Sequence, residues 1–167
     1  MTFEEAIKTA IEYEIKVRDA YLNSIGKIKD KTGQRVFKVL GDEEQGHVDY
    51  LKDRLAEWEK TGTLSSSHLK SVVPSKEIID KGMAELGKHL SDNEYQTELE
   101  MLKKALEMEK ETSDFYRRMV REVKDKSEFF QPFLKIEDGH TAIVQAEIDY
   151  LTRTGMFFDF QEFGQEY

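Results

Sequence analysis

The chain has 167 residues, 38% apolar and 35% charged, with only two prolines and no cysteine. That length allows one domain with a real core, and the mixture suits long amphipathic helices with a narrow apolar seam. The lack of cysteine excludes disulfides, zinc ribbons, cysteine-ligated iron–sulfur centres and thiol catalysis, and the net charge of −9 argues against a nucleic-acid partner. No apolar run is long enough to cross a bilayer, and Met1-Thr2-Phe3-Glu4-Glu5 lacks the basic and apolar regions of a signal peptide. A cytoplasmic protein without membrane association is therefore expected.

Phe3, Ile7, Ala10, Glu14, Val17, Tyr21 and Ile28 fall mostly three or four residues apart, which places them on one helix face. The spacing predicts a helix from about Phe3 to Lys29, roughly 40 Å long at about 1.5 Å per residue. A second helix is predicted from about Gln34 to Lys60, with Phe37, Leu40, Glu44, His47, Leu51, Leu55 and Trp58 on its seam and Thr61-Gly62 as its stop. The stretch from Thr63 to about Asn93 reads as a crossover. It opens with Ser65-Ser66-Ser67, contains Pro74, and has helical spacing from about Ser75 to Leu90 at Ile78, Ile79, Met83, Leu86 and Leu90.

The first hairpin, about 3–62, then recurs as a second, about 94–155. Adding 95 maps Ala10, Glu12, Glu14, Asp19 and Tyr21 onto Ala105, Glu107, Glu109, Asp114 and Tyr116. After a two-residue deletion in the turn, adding 93 maps Phe37, Glu44, Gly46, His47 and Thr61-Gly62 onto Phe130, Glu137, Gly139, His140 and Thr154-Gly155. Two such hairpins pack most simply as one all-α four-helix bundle with a long crossover. The tail from Met156 to Tyr167 carries Phe157, Phe158, Phe160, Phe163 and Tyr167. It is expected to fold back onto the bundle or onto a second subunit.

Glu14, Glu44, Glu109 and Glu137 interrupt the apolar seams, one per helix, each near the middle of its helix. A buried carboxylate is costly unless paired, hydrogen-bonded or bound to a cation. No lysine or arginine occupies a neighbouring seam position. The seams supply His47 and His140 instead, each three residues after a glutamate and therefore on the same face. Four carboxylates balance two divalent ions, with imidazoles as neutral ligands. One Glu from each of two helices and Glu-x-x-His from each of the other two is the ligand pattern of di-metal carboxylate bundles. The six residues are thus candidate ligands for two metal ions. Tyr21 and Tyr116, seven residues after Glu14 and Glu109, are candidate donors to the ligand carboxylates. His68, His89, Glu12 and Glu107 are expected on the surface.

Glu107-Met108-Glu109-Lys110-Glu111 through Phe115-Tyr116, with Asp42-Glu43-Glu44-Gln45-Gly46-His47, resembles the rubrerythrin-like branch of the ferritin-like superfamily over both hairpins. The resemblance implies a di-iron centre that reacts with peroxide or oxygen. Glu44 and Glu137 would bridge the irons, Glu14 and Glu109 would bind terminally, and His47 and His140 would each ligate one iron. Two departures qualify it. Rubrerythrins carry an iron–sulfur electron-delivery domain that a chain without cysteine lacks, so a separate donor protein is implied. They also carry a further glutamate three residues after the third-helix ligand, where this chain has Thr112; the equivalent in the first helix is Val17. The remaining six-ligand set is also similar to a bacterioferritin ferroxidase centre, but the haem-binding methionine of that family is Gln45 here, so no haem is expected.

The leading expectation is an oxidoreductase, a homodimer reducing peroxide or oxygen. Iron oxidation and storage, or a non-catalytic metal-stabilised sensor, are the alternatives. Manganese or zinc also accepts these ligands.

Overall fold

The computed structural model describes residues 1–85 and 96–161. Among these it is all-α, with five helices: α1 (Phe3–Ser24), α2 (Lys31–Thr61), α3 (Lys76–Glu85), α4 (Gln96–Glu122) and α5 (Ser127–Thr154). None of them is long and apolar enough to cross a membrane.

Local chemistry fixes the helix ends. The Thr2 hydroxyl accepts the Glu5 N–H at 3.1 Å while the Glu5 carboxylate accepts the Thr2 N–H at 2.8 Å, a reciprocal cap that starts α1. The predicted first helix stops sooner than expected, at Ser24, and a 3-10 turn (Ile25–Lys27) follows. The second starts earlier than expected, at Lys31. The earlier start of α2 traces to Asp30. Its side chain accepts the Gly33 N–H at 2.9 Å and caps α2. The cap residue itself takes the extended backbone that this requires, with φ −70° and ψ 126°. The second hairpin also turns through a 3-10 segment (Lys124–Lys126), four residues later in the register of the repeat. Gly62 and Gly155, equivalent in the repeat, end α2 and α5 with φ of 68° and 72°, a left-handed conformation that glycine adopts without penalty.

Helix α1 packs along α2 and α4 along α5; α1 also meets α4, and α3 lies on α5. The core is layered along the bundle. One apolar cluster includes Val17, Tyr21, Phe37, Leu40, Leu102, Ile143 and Val144. The other includes Phe3, Ile7, Ala10, Phe115, Tyr116, Phe130 and Phe133. Along every one of the four long helices, the seam glutamate falls between the residues of the two clusters. The polar layer is thus enclosed by apolar packing above and below.

The crossover helix covers Lys76–Glu85, within the predicted Ser75–Leu90 stretch; Leu86 and Leu90 lie outside the described residues. Phe157, Phe158 and Phe160 are buried. The Phe157 ring lies beside Gly33, which has no side chain to obstruct it, and edge-on to Phe37. The Phe158 N–H donates to the buried Glu147 carboxylate at 3.3 Å. This part of the tail folds back onto the bundle; Phe163 and Tyr167 lie outside the described residues.

Candidate metal centre

The structure brings all six sequence-predicted residues into one cluster. Glu14 comes from α1, Glu44 and His47 from α2, Glu109 from α4, Glu137 and His140 from α5. All are fully buried or within 1% of it. Their ligand atoms form two overlapping sets, Glu14, Glu44, His47 and Glu137, and Glu44, Glu109, Glu137 and His140; within each set the atoms lie within 4.8 Å of one another. Glu44 and Glu137 belong to both sets, Glu14 and Glu109 to one each.

Both histidines turn Nδ1 inward. His47 Nδ1 lies 3.4 Å from Glu14, 3.4 Å from Glu44 and 3.2 Å from Glu137. His140 Nδ1 lies 2.7 Å from Glu44, 3.6 Å from Glu109 and 3.7 Å from Glu137. The two rings are parallel, with centroids 5.6 Å apart.

The buried cluster does not satisfy itself. Glu14 Oε2, Glu44 Oε2, Glu109 Oε2, both Glu137 oxygens and His47 Nδ1 have no hydrogen-bond partner. Buried polar atoms are rarely left unpaired, because each costs about 1–3 kcal/mol. A carboxylate and imidazole donor set gathered this closely, with several of its buried polar atoms unpaired, fits two divalent cations.

Proton occupancy reflects the same crowding. Burial, then the carboxylates of Glu14 and Glu109, push Glu44 up to about 8. Burial, then Glu14, Glu44 and Glu109, push Glu137 well above the carboxylate range. Burial opposes ionisation of Glu14 too, but His47 and the hydrogen bond from Tyr116 hold it at about 2. Burial works against protonating the histidines, yet the surrounding carboxylates raise both well above the usual imidazole value. Protons thus occupy the positions that metal charge would otherwise fill.

The tyrosines act across the bundle. Tyr21 of α1 donates to Glu109 of α4, and Tyr116 of α4 donates to Glu14 of α1, both at 2.6 Å. Burial, then those carboxylates, raise both phenols well above their ordinary value, so they remain protonated donors. Each holds one carboxylate oxygen and leaves the other, Oε2, unpaired. Thr112 is fully buried, but its hydroxyl donates to the Met108 carbonyl at 2.8 Å. Glu12, Glu107 and His68 are exposed, and His89 lies outside the described residues. Gln45 accepts from Arg18 and donates to Asp49.

Sequence reasoning missed Glu43. It directly precedes Glu44 on α2, and its Oε1 lies 3.2 Å from His140 Nε2, the ring nitrogen turned away from the cluster. It also accepts from Ser71 Oγ at 2.6 Å and from the Val72 and Val73 N–H groups at 2.8 and 3.1 Å. Burial alone would raise Glu43, but His140 and these donors hold it at about 2. The available signal was a break in the repeat, since adding 93 to Glu43 reaches Ile136.

The family model described as the ferritin-like domain matches residues 27–154. The chain belongs to the ferritin-like family. The match covers α2 to α5 and so five of the six cluster residues; Glu14 and Tyr21, on α1, precede it and are placed by the geometry alone. No curated protein and no solved structure matches this ferritin-like chain significantly.

Proposed function

We propose that this ferritin-like protein holds two iron ions and reduces peroxide or oxygen with electrons from a separate donor protein. The observation that supports the proposal is the closed layer of four glutamates and two histidines, with ligand atoms within 4.8 Å of one another in each set and several buried polar atoms unpaired. Glu44 and Glu137 would be shared by both ions, Glu14 and Glu109 would each hold one, and His47 and His140 would each ligate one ion through Nδ1. Tyr21 and Tyr116 orient the terminal carboxylates by hydrogen bonding, a role that tunes ligand basicity. Two ferrous ions, when bound, would supply the two electrons that, with two protons, take one hydrogen peroxide to two waters, and the donor protein would replace those electrons. The apolar clusters on either side exclude bulk water from this layer.

The test is anaerobic loading with ferrous iron, followed by peroxide or oxygen in separate stopped-flow experiments. The proposal predicts that one peroxide per chain oxidises both irons and that reductant restores them. Continued oxidation of added ferrous iron by oxygen, with more than two irons accumulating per chain, would favour the storage reading. Inertness to both oxidants would favour a structural metal module.

Thr112 tests the finer preference. It occupies the place of the extra glutamate of rubrerythrins but is hydrogen-bonded to its own helix and carries no charge. The ligand set is therefore expected to stay fixed through the redox cycle, with oxygen relatively favoured over peroxide. Thr112→Glu is expected to raise the peroxide-to-oxygen rate ratio by about tenfold, the scale on which added or lost site groups act. An unchanged ratio, or an iron that moves by more than about 1 Å between oxidised and reduced crystals of the unaltered protein, would contradict a fixed set.

A further inference from the structure

The repeat makes the six candidate ligands symmetric, but it does not make their surroundings symmetric. When an imidazole binds a metal through Nδ1, its Nε2 carries a proton and becomes a donor. His140 has an acceptor for that proton in Glu43, whose carboxylate is held in place by Ser71, Val72 and Val73 of the crossover. His47 has none: its Nε2 is buried without a hydrogen-bond partner, and its ring stands edge-on to Phe133. The residue equivalent to Glu43 is Ile136, which has no acceptor and lines a groove of about 540 Å³ with Val73 and Pro74.

A carboxylate on the far nitrogen fixes the tautomer and ring orientation of a metal-binding histidine and raises its basicity. We infer that the two metal positions are unequal, and that Glu43 makes the one formed by Glu109 and His140 the tighter, while the one formed by Glu14 and His47 binds second. This rests on the two-metal reading of the cluster. Glu43 is then a positioning residue acting through His140, and it ties the tighter position to the docking of crossover residues 71–73 onto α2.

The test uses cobalt(II) as the probe, titrated into the metal-free full chain in competition with a chromophoric chelator. Adjacent cations repel, so two unequal steps in the unaltered protein do not decide the matter. The single-histidine variants do. His47→Ala keeps one cobalt at close to the affinity of the first step, whereas His140→Ala keeps one that is about tenfold or more weaker. Adding Glu43→Gln to His47→Ala weakens its cobalt by about 10–100-fold; adding it to His140→Ala changes little. Equal affinities in the two single-histidine variants would overturn the inference, as would Glu43→Gln weakening both alike or neither. The unaltered protein binding two cobalt ions in either case leaves the two-metal reading intact. Failure to bind two is the separate result that removes that reading and the inference with it.

Discussion

Loading the metal-free chain with ferrous iron under anaerobic conditions is expected to raise its unfolding temperature by about 20 °C at pH 7. A ligand at about 1,000 times its dissociation constant stabilises by about 4 kcal/mol, so two such ions contribute about 8 kcal/mol. For a domain of this size each kcal/mol is worth about 2–4 °C. The gain should depend on pH with a definite sign. Without metal, Glu44, Glu137, His47 and His140 all bind protons more tightly than they do in the unfolded chain. Stability falls with rising pH wherever the folded state holds more protons. For Glu44 that window runs from its unfolded value of 4.5 up to about 8. For the histidines, the stabilisation is complete below 6.5 and is lost as pH rises through their higher folded values. Glu14 has the opposite sign: it stabilises above 4.5, and that contribution is lost as pH falls toward about 2. The cluster's contribution to metal-free stability is therefore greatest near pH 4.5 and declines through neutrality. Metal must displace the same protons, so its affinity rises with pH. Calorimetric scans at pH 5 and 7.5, with and without iron, check this. A thermal shift no larger at pH 7.5 than at pH 5 would contradict the assignment of the protonated groups.

Replacing Glu44 and Glu137 together by glutamine is expected to abolish metal binding and to stabilise the metal-free protein. Glutamine has the shape of a protonated glutamate without the cost of acquiring the proton. That cost is about 1.4 kcal/mol per pH unit for each group above its unfolded value. At pH 7 the expected gain is about 3 kcal/mol after imperfect amide hydrogen bonds are allowed for, or about 10 °C. The gain should shrink toward zero near pH 4.5, where the unfolded carboxylates also begin to hold protons. Denaturant titrations across pH measure it directly. A double variant less stable than the metal-free parent at pH 7 would mean that these glutamates make stabilising contacts of another kind.

The helices and the six-residue cluster were legible in the sequence because burial leaves a strong trace. A charged residue in an apolar seam violates the period it sits in, and Glu14, Glu44, Glu109 and Glu137 violate it at matching places in a repeat. Other features depend on contacts between elements that no single period records. Spacing placed Tyr21 on the face of Glu14, but its hydroxyl reaches Glu109 across the bundle. Glu43 stands one residue off the seam, where helical periodicity points a side chain away from the centre. Its partners come from α5 and from a crossover segment without periodic pattern. The start of α2 moved for a similar reason: Asp30 caps it, and an apolar period does not register a cap.

The central claim is that one chain holds two adjacent ions in the layer formed by Glu14, Glu44, His47, Glu109, Glu137 and His140. Anomalous diffraction at the iron edge from anaerobically loaded crystals tests it most directly. The account predicts two peaks about 3.5–4 Å apart, the usual separation of a two-metal site, with Glu44 and Glu137 touching both and each Nδ1 touching one. A single peak, no peak, or iron held elsewhere on the chain would contradict it.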